Sequence, residues 1–134
     1  MKLKKETLAA VVAEASKQMS DPNYSAVMVG GFVENQAPTT QFIGSHGDDL
    51  GGAEGIVSVI FHCALIALAF ERDAGTAPAE LSFDDLDAVA KGRPLVTLEG
   101  RQPAIHEFIT SNLERSEAQH LVALVALAME RAAG

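Results

Sequence analysis

The first group of residues able to do chemistry is Ser45-His46-Gly47-Asp48-Asp49, an imidazole and two carboxylates in a glycine-rich stretch. Beside a helix N-terminus, His46, Asp48 and Asp49 could hold a metal ion or an anion, or serve as a general acid–base pair. The spacing matches neither a calcium loop nor a zinc signature, and two adjacent aspartates repel an anion. The alternative is a turn whose acids cap the next helix.

The second group is Glu54, Ser58 and His62, four residues apart and therefore in a row along one helix. A row sets side chains beside one another but does not assemble nucleophile, base and oxyanion hole. It reads more simply as a polar edge. Glu54 and His62 join His46, Asp48 and Asp49 as candidate ligand-binding residues. His106-Glu107 and His120 form no His-Glu-x-x-His pattern, and no residue is assigned a catalytic or metal-binding role. No cofactor is expected. The glycines at 30, 31, 44, 47, 51, 52 and 55 make no phosphate loop, since no Lys-Ser or Lys-Thr follows them. The lone cysteine, Cys63, sits in the most apolar stretch and reads as a small buried hydrophobe.

The third group is acidic: Glu71, Asp73, Glu80, Asp84, Asp85 and Asp87. It reads as a solvated face with helix caps, or as a contact surface for a basic protein, even a mimic of nucleic-acid phosphates. Charge supports the protein partner. Residues 1–20 carry four Lys against two Glu, and the rest carries six Lys and Arg against sixteen Asp and Glu, for a net charge of −8. Direct nucleic-acid binding, which draws its affinity from Lys and Arg on phosphates, is not expected.

These groups must be positioned by the elements around them. Leu8, Val11, Val12, Ala15 and Met19 make one apolar stripe, so residues 3–19 are predicted as a helix. Asp21-Pro22 ends it. Residues 25–33 and 39–44 read as two strands of a hairpin, with Gly30-Gly31 marking a bulge or a close backbone approach. A helix over about 53–72 is apolar on nearly all sides and needs cover from the domain or from a second subunit. Ser82 and Asp85 form a capping box that opens a short helix ending near Gly92. Residues 95–98 read as a strand begun by Pro94. Pro103 opens a further helix, and 117–132 is the last.

The expected fold is therefore α+β: a small antiparallel sheet of about three strands with helices packed on one face, in the order α-β-β-α-α-β-α-α. One domain is expected over 1–134, with no internal repeat. The apolar run 56–70 has 15 residues, short of the roughly 20 that cross a bilayer. No secretion signal is read at the N-terminus, and no membrane association is expected. The reading that fits best is a cytoplasmic protein-interaction module, a regulator, inhibitor or assembly factor, expected as a homodimer. A small enzyme or ligand-binding domain at 44–62, and an acidic nucleic-acid mimic, are the alternatives.

Overall fold

A computed structural model describes residues 2–133. Among them lie eight helices and no strand: α1 Lys5–Gln18, α2 Pro22–Asn35, α3 Ala37–Gly44, α4 Ala53–Ala74, α5 Phe83–Ala90, α6 Pro94–Arg101, α7 Pro103–Asn112 and α8 Ser116–Ala133. The expected α+β sheet is thus overturned: residues 25–33 lie in α2, 39–44 in α3 and 95–98 in α6.

The prolines explain much of the correction. Pro22, Pro38, Pro94 and Pro103 each occupy one of the first two positions of a helix, where no intrahelical amide bond is lost. Asp21 accepts the Asn23 amide at 2.9 Å and so caps α2. Asp21-Pro22 therefore ends one helix and starts the next. In α2 the inward residues are Tyr24, Met28, Val29 and Phe32, at the i, i+4, i+5 and i+8 spacing of one helical face. In α3 they are Thr39 and Ile43, again four apart. Gly30 and Gly31 are ordinary helical positions, since a Cβ added at either meets nothing within 4 Å.

The eight helices are two copies of one four-helix unit. α1, α2, α3 and α4 correspond in order to α5, α6, α7 and α8. The sequence carries the correspondence. Ala64-Leu65-Ile66-Ala67-Leu68-Ala69-Phe70-Glu71-Arg72 in α4 matches Ala123-Leu124-Val125-Ala126-Leu127-Ala128-Met129-Glu130-Arg131 in α8. Gln36, Phe42 and Ile43 match Gln102, Phe108 and Ile109, and Leu3 and Leu8 match Leu81 and Leu86. The second copy is trimmed, with 8 residues in α5 and α6 where α1 and α2 have 14.

Packing repeats in the same way. Within each half the long helix carries the other three, α1, α2 and α3 on α4, and α5, α6 and α7 on α8. Between halves α4 lies on α8, α3 on α5, and α7 on α1. Each of these pairs maps onto another, or onto itself, when the halves are exchanged, which is the contact pattern of an approximate two-fold axis. The expectation of no internal repeat is corrected accordingly. The cover that the apolar 53–72 helix requires is supplied largely by α8 of the same chain.

One residue in each half locks the arrangement. Gln36 ends α2 and begins α3, and Gln102 ends α6 and begins α7, with φ/ψ of −133°/56° and −137°/68°. Both are buried. Gln36 Oε1 accepts the Leu81 amide at 2.8 Å, and its Nε2 donates to the Ala79 carbonyl at 2.9 Å. Gln102 Oε1 accepts the Leu3 amide at 2.9 Å. Each half therefore holds the extended entry segment of the other.

The two halves cap their first helix differently. In α5, Ser82 and Asp85 form the expected capping box. Lys4 gives α1 no side-chain cap, and Asp73 at the end of α4 takes that place. Its Oδ2 accepts the Lys4 amide at 2.9 Å and its Oδ1 accepts the Thr7 hydroxyl at 2.5 Å. These bonds, the Lys4 amide first, hold the Asp73 carboxyl below the usual aspartate range. Asp73→Asn is expected to cost about 1 kcal/mol at neutral pH, the usual value of an N-cap. Because the native carboxyl is the more acidic, this stabilisation is complete above the unfolded aspartate value. It fades as pH falls through the lower native one. Urea midpoints of wild type and variant should thus converge toward acid; a constant gap would show that the charge is not what caps α1.

Among the described residues α4 is the one helix whose length and composition would suffice to cross a membrane, with 22 residues and a mean hydropathy of 2.0 in its most apolar window. In this fold it is the central helix, packed on α1, α2, α3 and α8.

Candidate functional site

The 44–52 segment is a hydrogen-bonded turn rather than a helix cap. Gly52 is the N-cap of α4 and no side chain caps it, so Asp48 and Asp49 do not. The Gly52 amide donates to Gly47 O at 2.8 Å, and the Asp49 and Leu50 amides donate to His46 O. Leu50 is buried beneath the turn. Arg115 Nη1 donates to Asp49 O at 3.2 Å and ties the turn to the start of α8.

His46 and Asp49 do come together, Nδ1 to Oδ2 at 3.9 Å, with the His46 ring tilted on Phe42 at 5.1 Å between centroids. They face a shallow cleft shared with Ser116, Glu117 and His120 of α8. Two of the four histidines thus border one cleft. Among the described residues, however, no three His, Cys, Asp or Glu side chains converge closely enough to hold a metal ion.

Glu54, Ser58 and His62 do lie along α4, but His62 turns away from catalysis. Its Nδ1–H donates to the Ser58 backbone carbonyl at 2.7 Å, not to the hydroxyl. The ring stands edge-on to Phe61 and tilts against Phe108, at 5.8 and 5.7 Å between centroids. Burial, the larger influence, lowers its pKa, so the imidazole is neutral at physiological pH. Glu54 is exposed. Cys63 is buried, and burial pushes its thiol far above the usual range, which leaves it a packing residue.

The acidic group disperses in the same way. Asp73 and Asp85 are committed to the caps of α1 and α5. Asp84 and Asp87 lie beside Lys91 on the exposed side of α5, and Glu80 is exposed in the entry segment of the second half. Glu71 stands at a concave surface that is largely apolar.

That surface is a groove of about 200 Å³ between α2 and α4. Val27, Met28, Gly31, Phe32 and Asn35 line it from α2, Ala64, Ala67, Leu68 and Glu71 from α4, and Ala77-Pro78 close one side. Val27 is 69% exposed on α2. The corresponding surface of the second half is shut. Ala126, Leu127 and Glu130 are buried, whereas their counterparts Ala67, Leu68 and Glu71 are not. Arg101, whose counterpart is Asn35, donates to Glu130 Oε1 from Nε at 2.8 Å and from Nη2 at 2.6 Å. A second apolar hollow lies between α1 and α7, over Leu8, Val12, Ala104 and Phe108.

No family model matches this chain, and comparison with curated proteins and with solved structures likewise finds no match. Reading outward from single residues singled out Glu71 but missed Val27, Met28, Asn35 and Leu68. The signal that identifies them is the comparison of residues 64–72 with 123–131, which shows where the two copies differ.

Proposed function

We propose that the protein is a protein-interaction module and that the α2–α4 groove is its contact surface. The observation that carries this reading is the asymmetry between the halves. The same helical surface is closed over Glu130 in the second half and left open, apolar and rimmed by a carboxylate in the first. An apolar groove kept open on a small acidic domain is the kind of surface on which a partner's helix or extended segment docks. Of the residues that would serve an enzyme, His46 and His62 lie against phenylalanine rings, and Asp73 and Asp85 are engaged in caps. A cytoplasmic setting fits the same reading, since a lone buried thiol needs no oxidising compartment.

The test is the mass at which residues 1–134, expressed in host cells, travel in native extracts. The wild type should elute well above its own 14.1 kDa, and Val27→Asp should return it to its own mass while its helical circular dichroism is unchanged. Elution of the wild type alone, at its own mass, would contradict the reading.

A further inference from the structure

We propose that the α2–α4 groove receives an arginine side chain, flanked by apolar residues on a segment of a partner protein, and that Glu71 is the carboxylate that binds it. This rests on the interaction reading above and specifies its chemistry.

The second half shows what the equivalent position holds when it is filled. Glu130 is only 6% exposed, and a single guanidinium reaches its Oε1 through two N–H groups. That guanidinium comes from Arg101, the residue immediately before Gln102. In the first half the residue immediately before Gln36 is Asn35, and the carboxylate is Glu71. Asn35 and Glu71 line the same groove. The first half thus has the anion without the cation. The floor beside it, Ala67 and Leu68, is less covered than Ala126 and Leu127. A carboxylate at the end of an apolar trough favours a side chain with a long apolar stem and a forked cationic head. Arginine meets that description better than lysine, because its planar guanidinium makes two parallel bonds and is the more weakly hydrated cation. The net charge of −8 draws a basic segment toward the protein.

Of the chain's five arginines, Arg72 pairs with Glu14, Arg101 with Glu130, and Arg115 bonds to Asp49 O, while Arg93 and Arg131 are exposed. A net charge of −8 on each copy opposes self-association, so a basic partner protein is the occupant favoured over a second copy.

The experiment is selection of a random-peptide display library on the immobilised full chain, followed by solution binding of the selected peptides to wild type, Glu71→Gln and Asn35→Arg. Asn35→Arg places a cation at the exposed last position of α2, where it also suits the helix dipole, so the variant should fold at least as stably as wild type. Selected peptides should be rich in arginine next to Leu, Met or Phe. Their affinity should fall about tenfold in Glu71→Gln, the usual weight of a well-placed arginine contact, and as much or more in Asn35→Arg. Peptides without arginine that are nonetheless lost in Asn35→Arg would overturn the arginine assignment and leave the groove as a docking surface. Self-association of the wild type that Asn35→Arg abolishes would overturn the partner and install a second copy. Absence of any selected peptide, or binding indifferent to both substitutions, would overturn this proposal and the interaction reading together.

Discussion

Gln36→Leu is expected to destabilise the protein by roughly 2–4 kcal/mol, because it strands two hydrogen-bonding groups at once. The Leu81 amide and the Ala79 carbonyl lose their side-chain partner, and the first of these bonds is buried. Leucine fills nearly the same volume, so the loss reports the hydrogen bonds rather than a cavity. Against a total stability of about 5–15 kcal/mol for a domain, this is a large fraction. Gln102→Leu should weaken the protein in parallel, since Gln102 holds Leu3 as Gln36 holds Leu81. Gln41→Leu, on the exposed side of α3, serves as the control and should change little. Urea denaturation of the three variants measures the effect. Equal, small losses in all three would mean that the crossed entry segments do not hold the halves together.

Gly55→Ala is expected to destabilise by at least about 1–3 kcal/mol, although the same change inside a helix normally stabilises. The sign reverses because a Cβ at Gly55 would stand 1.8 Å from Leu50 O, and backbone cannot step aside as a flexible side chain can. The turn that seats buried Leu50 against the start of α4 would have to rebuild. Gly30→Ala is the matched comparison. Its Cβ enters open space, so it should stabilise by up to about 1 kcal/mol, the helix-propensity difference. Thermal melts of the two variants should move in opposite directions. Both moving up would show that the 44–52 turn yields easily.

How much of this was legible beforehand depends on length and on what surrounds each segment. The stripe of α1, the all-round apolar runs of α4 and α8, and the Ser82–Asp85 box of α5 were readable, because long periodic segments and reciprocal caps carry their own signal. From sequence alone, α2, α3 and α6 read as strands. Their Val, Ile, Thr and Phe content suits strands, and α3 and α6, at 8 residues, are too short for periodicity to decide. Their prolines held the answer, since Pro22, Pro38 and Pro94 open helices rather than interrupt them.

The duplication was written in the two Ala-Leu-rich segments, 64–72 and 123–131, but unequal lengths of the surrounding helices hid it. Single residues were least legible in function. Asp73 and Glu71 are both acids near the end of α4, yet one caps α1 and the other rims a groove, a difference set by helices far away in sequence. His46 and Asp49, three apart in sequence, face one cleft without Asp48, Glu54 or His62, and His120 joins that cleft from α8 by packing alone.

The two halves share one architecture, and we propose that the surface left open in the first is the one that meets a partner. The most direct test is photo-crosslinking in the host, with a photoreactive residue at Val27 on α2 or at its counterpart Arg93 at the start of α6, both exposed. One dominant adduct is expected from position 27, little from position 93, and loss of the position-27 adduct when Asn35→Arg is added. Equal adducts from both positions, or a position-27 adduct that survives Asn35→Arg, would contradict the proposal.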